Sequence, residues 1–112
     1  MSIRWRLVFR VLVRGSSMVP TLEAGERLIC LAIPRRFVLT LNSVVVVRDP
    51  RDRRNLLIKR IKSIEPDGSV VVIGDNEAVS IDSRNFGSIR AAEVEGRALF
   101  VYSPSFFSLS NR

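Results

Sequence analysis

Apolar and polar residues alternate along the first segment of the chain. From Ile3 to Val13 the odd positions are apolar, and arginine occupies positions 4, 6, 10 and 14. A period of two residues is typical of a β-strand that has one face against a core. Before Leu7, a short amphipathic helix lying on lipid would also mix arginine with tryptophan and phenylalanine, so both interpretations stay open there.

Five further apolar runs follow, separated by prolines, glycines and other turn-forming residues. They span Arg27–Ile33, Ser43–Arg48, Leu56–Ile64, Ser69–Ile73 and Arg97–Tyr102. Short strands at close spacing predict an all-β fold, a small and partly closed β-barrel or sheet with little helix. The segment Ser16–Glu26 contains Pro20 and Gly25 and is predicted to form an exposed turn between strands.

The length of the chain predicts one domain over residues 1–112, with residues 1–6 as an arm that is either flexible or in contact with lipid. No run approaches the roughly 20 apolar residues that cross a bilayer. Arg10 and Arg14 interrupt the apolar stretch that a secretory signal requires. The sequence therefore predicts a cytoplasmic protein without a transmembrane segment, able to lie peripherally at a membrane.

The net charge of +7 is concentrated in the first half of the chain. Residues 1–60 contain 13 basic and 4 acidic groups, whereas residues 61–112 contain 5 and 7. Such a surface suits anionic lipid or nucleic acid. Aromatic residues that would stack on bases are sparse beside the basic ones, so a nucleic-acid-binding β-barrel is the weaker interpretation. The run Arg48–Asn55 mixes aspartate and proline with its arginines, which favours a solvated hairpin loop.

Two residue types that are absent or rare limit the cofactors and the catalytic arrangements that this chain can have. Cys30 is the single cysteine and histidine is absent, so the sequence predicts neither an intramolecular disulfide nor a metal or other cofactor. Without histidine, a serine hydrolase of the Ser-His-Asp type is excluded. Any serine nucleophile in this chain would need lysine as its base.

Three segments together suggest such an enzyme. They are SMVPTL at residues 17–22, LLIKRI at residues 56–61 and GDNEAVSIDSRNFG at residues 74–87. In order and content they resemble the signal peptidase family of serine proteases, over about residues 13–102. The resemblance implies that the whole chain is one serine protease domain with the catalytic core of that family. It also implies that Ser17 is the nucleophile, with Ser16 a neutral neighbour, and that Lys59 is the general base.

The resemblance extends to the residues around this pair. It implies that the Ser80 hydroxyl orients the lysine, that Asp82 and Arg84 form a charged pair which fixes the third segment, and that Met18 and Pro20 lie beside the substrate. Gly15 stands where many members have a serine, so the backbone N–H of Ser17 is the expected donor to the oxyanion. Gly74, Asp75 and Asn76 are interpreted as turn residues. Asn42-Ser43 replaces a Gly-Asp of the family.

The strand pattern around Lys59 suits a base. Alternation places Lys59 on the same face as Leu57 and Ile61. Holding a lysine neutral at pH 7 costs about 4.6 kcal/mol if its pKa stays near 10.4. Burial among apolar side chains disfavours the ammonium and lowers that cost, although the same pattern allows a lysine that extends outward to solvent.

Within the family, the short chain looks most similar to the maturation proteases of nickel-type superoxide dismutase. That resemblance implies an endopeptidase that removes the N-terminal leader of the dismutase precursor, and in that case the nickel belongs to the substrate. A peripheral signal peptidase acting on exported precursors is the alternative, and self-cleavage is a weaker one. In each case an extended substrate is expected to add as a strand near Ser17, with small side chains beside the scissile bond.

Overall fold

A computed structural model describes residues 7–32 and 39–102. The predicted arm at residues 1–6 and the last residue of the predicted strand Arg27–Ile33 lie outside the described residues.

The described residues form six strands. They are β1 Val8–Leu12, β2 Arg27–Ala32, β3 Val44–Arg48, β4 Leu56–Ile64, β5 Val70–Ile73 and β6 Val94–Tyr102. One short helix, α1 Ser83–Phe86, and one 3-10 turn, Ala91–Glu93, precede the last strand. The prediction of an all-β fold with little helix is confirmed.

The strands make one antiparallel sheet in the order β1-β2-β6-β3-β4-β5. Among the described strands the sheet is open, with β1 and β5 outermost. β5 pairs with β4 only from Arg60 onward, so the segment Leu56–Lys59 lacks a strand neighbour on that side within the described chain. The edge of β1 and this edge of β4 are therefore both available for pairing.

The interior consists of two apolar clusters separated by β3. Val45 and Val47 pack with Ile61, Val70 and Val72 in one cluster. Val46 points the opposite way, into a cluster that includes Val13, Met18, Leu22, Leu28 and Cys30. The uninterrupted valine run of β3 is buried on both faces because apolar side chains cover each side of it. Met18 and Leu22 hold the segment after Ser17 against the second cluster.

β6 starts three residues earlier than the sequence predicted, at Val94 and not at Arg97. Glu95 and Gly96 weaken the strand signal there, because both residue types are uncommon in strands. Gly96 is required by packing. A Cβ at this position would lie 2.6 Å from the Phe9 ring and 2.8 Å from the Leu31 carbonyl oxygen.

Candidate active site

A cleft of ≈ 680 Å³ lies between β1 and β4. Residues 10–14 form one wall, and residues 54–59, which include the first half of β4, form the other. Ser17, Met18 and Lys59 line this cleft, as do Asp49 and Arg51 from the hairpin between β3 and β4. The structure thus brings two of the three sequence segments to one cavity, and the third reaches it through hydrogen bonds.

Ser17 lies in a turn whose conformation follows from its sequence. Gly15 has a φ of 71°, in the left-handed region that glycine adopts without steric cost. After the turn, Met18 is buried and its carbonyl accepts a hydrogen bond from the Leu22 N–H at 2.9 Å. Full burial of a methionine side chain contributes about 1.5–3 kcal/mol, which anchors the turn.

Asn76 ties the Ser17 turn to the third segment. Its backbone N–H donates to the Ser17 carbonyl at 2.8 Å, and its side-chain amide donates to the Ser16 carbonyl at 3.0 Å. The sequence indicated only a turn residue here. The contact joins residues 60 positions apart in the chain, and local patterns carry no signal for it.

Lys59 is almost completely buried, with 3% of its surface exposed. It shares its face of β4 with buried Ile61 and partly buried Leu57, so the predicted apolar surroundings are confirmed. Its ammonium donates to the Ser80 hydroxyl at 3.0 Å. Burial lowers the pKa of Lys59, the nearby Asp82 carboxylate opposes that change, and the Arg51 and Arg84 charges reinforce it.

Asp82 is fully buried and lies behind Ser80. Its Oδ2 accepts hydrogen bonds from Ser80 Oγ at 2.6 Å, from the Gly74 N–H at 2.8 Å and from Arg84 Nη2 at 2.7 Å. Burial alone would raise the pKa of Asp82, but the bonds from Arg84, Ser80 and Gly74 hold it well below its usual range. The chain Lys59–Ser80–Asp82 therefore ends in a carboxylate that is ionised at neutral pH and is paired with Arg84.

Asp82 is also the N-cap residue of α1, directly before the first helical residue, Ser83. Its Oδ1 accepts from the Arg84 N–H at 3.1 Å, and the Asn85 side chain accepts from the Asp82 N–H at 3.1 Å. This reciprocal capping box fixes where the short helix starts. One aspartate thus orders both the helix and the hydroxyl that holds Lys59.

Arg60, the residue after Lys59, anchors the opposite side of β4. Its guanidinium binds both carboxylate oxygens of Asp75, at 2.9 and 2.8 Å, and Asp75 also accepts from the Thr21 hydroxyl at 2.5 Å. The arginine is the main reason that the pKa of Asp75 is lowered. The sequence carries no signal for this contact of Arg60 with Asp75 and Thr21, although strand alternation does separate Arg60 from Lys59.

Asn42, at a position where the resemblance implies a glycine, adopts a backbone conformation that glycine favours. Its φ of 70° is a left-handed conformation that asparagine tolerates better than most residues. Its carbonyl accepts a hydrogen bond from Arg60 at 2.7 Å. The departure from the family pattern is thus accommodated within the Arg60 network.

Gly74 passes close beneath the serine turn. A Cβ here would collide with the Ser80 side chain and lie 2.7 Å from the Ser17 carbonyl oxygen. Only glycine allows these two segments to approach each other. Gly74 therefore has a steric function in addition to the turn function that the sequence predicted.

The other predicted residues differ in whether they line the cleft. Met18 lines it, whereas Pro20 is exposed and is not among its lining residues. Cys30 is buried, and burial raises the pKa of its thiol to about 11, which disfavours a nucleophilic thiolate. Within residues 7–32 and 39–102, no group of three or more metal-ligating side chains is present.

Comparison with known proteins identifies relatives of this chain. The sequence matches the family described as signal peptidase, peptidase S26, over residues 1–67 and 62–103. It is 34% identical to mitochondrial ATP-independent inner membrane protease subunit 1a of Arabidopsis thaliana, over 85% of this chain and 71% of the relative. It is 30% identical to mitochondrial inner membrane protease subunit 1 of Schizosaccharomyces pombe, over 87% of this chain and 74% of the relative. It is 28% identical to mitochondrial inner membrane protease subunit 2 of Danio rerio, over 88% of this chain and 66% of the relative.

These comparisons confirm the resemblance to signal peptidases and correct one prediction. The cytoplasmic location predicted from the sequence is wrong, because the relatives are named as inner membrane protease subunits and point to a membrane-associated location. Among the described residues, no helix is long and apolar enough to span a membrane. The sequence prediction failed because it inferred a location from the lack of an apolar run.

Proposed function

The chain belongs to the signal peptidase family, peptidase S26, and on that premise we propose that it is a serine endopeptidase which uses Ser17 and Lys59 to cleave a precursor protein. The observation that carries the proposal is that Ser17 and a buried Lys59 line one cleft. Protease relatives at up to 34% identity support the peptidase activity itself.

In this mechanism Ser17 Oγ attacks the carbonyl carbon of the scissile bond while neutral Lys59 accepts the hydroxyl proton. Lys59 then donates that proton to the departing amine, which leaves an acyl-enzyme ester on Ser17. Water attacks the ester with Lys59 again as base, and this step releases the acid product and restores the serine. The lowered pKa of Lys59 supports the role, because a larger fraction of the amine is neutral near pH 7.

We propose supporting roles for the residues around the pair. Ser80 orients the amine of Lys59 by accepting its hydrogen bond, and Asp82 fixes the Ser80 hydroxyl in turn. Arg84 holds Asp82 in place by two side-chain bonds. The left-handed Gly15 shapes the turn so that the Ser17 N–H can donate to the developing oxyanion.

The substrate is proposed to bind as an extended strand between β1 and β4. Both edges lack a strand neighbour in the described chain and both line the cleft, so a peptide there can pair with either. Met18 forms part of the lining beside Ser17, which favours small side chains next to the scissile bond. Pro20 is exposed two residues after Met18, and its place beside the substrate is proposed from the sequence resemblance alone.

The outer face of β1, β2 and β6 is proposed to contact the membrane. By register, Val8, Leu12 and Phe100 share this face and are 52%, 43% and 58% exposed. Arg10, Arg27 and Arg97 lie on the same face, and Arg10 stands at the β1 edge that borders the cleft. Exposed apolar side chains mixed with cations fit an anionic bilayer surface, where each arginine contributes about 1 kcal/mol.

The precursor is proposed to carry an N-terminal leader that this enzyme removes. The names of the relatives favour a precursor presented at a membrane. The precursor of nickel-type superoxide dismutase is the finer proposal, and it rests on the sequence resemblance alone.

Incubation with two candidate substrates tests the function. The purified chain is mixed with anionic vesicles and either an exported-protein precursor or a nickel superoxide dismutase precursor, and products are identified by mass spectrometry. We expect one cut at the leader junction of at least one precursor. If the chain cuts neither with vesicles present, the proposed function is wrong. A cut in the exported precursor alone would exclude the dismutase assignment.

A further inference from the structure

The walls of the cleft carry a large excess of positive charge. Its charged lining residues are Arg10, Arg14, Arg51, Arg54, Lys59 and Asp49. With Lys59 neutral, as its proposed role requires, four arginines still face one carboxylate. A strand that binds between these walls enters a strongly positive field, because a confined cleft focuses the potential of its lining charges.

Not all four arginines are available to a ligand. Arg51 binds both carboxylate oxygens of Asp49, at 3.1 and 2.9 Å. Arg54 binds those of Asp52, at 3.0 and 3.1 Å. Within the described part of the chain, no ion pair involves Arg10 or Arg14, and both are exposed. The unmatched charge therefore belongs to the β1 wall, against which a substrate strand would pair.

We propose that Arg10 and Arg14 make the cleft select substrate segments with acidic side chains. The inference rests on the proposed function, since it concerns the peptide that the cleft holds. Arg14 lies three residues before Ser17, and Arg10 lies four residues further away. At about 3.3 Å per residue, the two arginines are roughly 13 Å apart along an extended chain.

The spacing defines the pattern of the substrate. β1 ends at Leu12, but Val13 still exchanges backbone hydrogen bonds with Glu26 and Gly25, which extends the pairing up to Arg14. Side chains two or four residues apart in an extended segment point to the same face. A paired peptide therefore meets Arg14 with one residue near the scissile bond and meets Arg10 with the residue four positions away. The preferred segment carries aspartate or glutamate at these two positions, whereas lysine there is repelled.

Binding is measured separately from cleavage. The Ser17→Ala full-length protein is titrated, with fluorescence anisotropy as readout, into three labelled twelve-residue peptides of alanine, serine and valine. They differ only at two positions four residues apart, which hold glutamate, glutamine or lysine. We expect the glutamate peptide to bind about tenfold more tightly than the glutamine peptide. Each of the two partly exposed arginine–glutamate pairs should contribute about fivefold or less to this ratio. The lysine peptide should bind most weakly.

Two variants assign the effect to these arginines. In Ser17→Ala with Arg10→Gln and Arg14→Gln, the preference for glutamate should fall to about twofold or less. Arg90→Gln is the matched control, because Arg90 has a side chain that is 78% exposed and is not among the cleft-lining residues. It removes one arginine charge outside the cleft and should keep the preference. In Arg10→Glu, the affinity for the glutamate peptide should fall and the affinity for the lysine peptide should rise.

The outcomes separate this inference from the proposed function. Equal affinity for all three peptides would overturn the inference, and so would an equal loss of preference in the Arg90→Gln control. If wild-type protein cleaves a neutral peptide but shows no preference for acidic ones, the inference fails and the peptidase function stands. If glutamate is preferred in binding but neither precursor is cut with vesicles present, the cleft selectivity stands and the peptidase function fails.

Discussion

Lys59→Met is expected to abolish peptide cleavage and, at the same time, to increase the free energy of unfolding. Methionine fills a similar volume but cannot accept the serine proton, so kcat/KM should fall by about 10³-fold or more. The same substitution removes an amine buried with 3% of its surface exposed. Because burial disfavours the ammonium form of Lys59, an apolar side chain of similar volume should raise the free energy of unfolding at neutral pH.

The stability of the wild-type protein should depend on pH because of this buried lysine. Because burial lowers the pKa of Lys59 in the folded protein, the unfolded chain binds more protons at pH values between the folded and unfolded pKa values. Wild-type stability should therefore rise with pH through that window, and the full cost of the buried amine is present below it. Cleavage should rise over the lower part of the same window, as Lys59 loses its proton.

Denaturant titrations from pH 6 to 10, together with cleavage rates, measure both effects. Lys62→Met is the matched control, since Lys62 is an exposed lysine on the same strand. It should keep activity and show the wild-type pH dependence of stability. Cleavage by Lys59→Met would contradict the role of the lysine. An unchanged pH dependence of stability in Lys59→Met would contradict the lowered pKa.

Asp82→Asn should lower both activity and stability, although the side chain keeps its shape. The buried carboxylate accepts bonds from Ser80, Gly74 and Arg84, and each charge-assisted bond weakens when the charge is lost. We expect unfolding free energy to fall by about 1.5–3 kcal/mol, the range for hydrogen bonds to charged groups. A displaced Ser80 misplaces Lys59, so kcat/KM should fall by roughly 100-fold.

A pH profile separates positioning from general loss of structure. The Asp82 charge raises the pKa of Lys59, so its removal should move the rise in activity to lower pH. Circular dichroism and thermal melts confirm that the variant is folded at the assay temperature. Asp67→Asn is the control, because Asp67 lies in an exposed turn between β4 and β5. An Asp82→Asn enzyme with the wild-type rate and profile would exclude a positioning role.

Strand alternation predicted the surroundings of Lys59 because that information is local. The apolar neighbours at positions 57 and 61 come to one face of β4 by geometry alone. The bonds from Asn76 to Ser16 and Ser17 were not predictable in this way. They depend on where the third segment packs against the serine turn, which is a consequence of the whole fold.

Charge patterns were less reliable than apolar ones. The residues Arg48–Asn55 do form a hairpin connection with mostly exposed residues, as predicted from their composition, although Asp49 is buried. However, two of its arginines, Arg51 and Arg54, also line the cleft, because the hairpin between β3 and β4 ends beside β1. The sequence shows that this cluster is positively charged but not which cavity its side chains face.

The choice between two adjacent serines tests the central claim most directly. One peptide cut by the wild-type protein is incubated with Ser16→Ala and with Ser17→Ala, and kcat/KM is measured for each. The two variants remove the same hydroxyl group one residue apart, so differences in folding or charge are small. We predict near wild-type cleavage by Ser16→Ala and none detectable by Ser17→Ala. Cleavage by Ser17→Ala, together with its loss in Ser16→Ala, would contradict the assignment of Ser17 as the nucleophile.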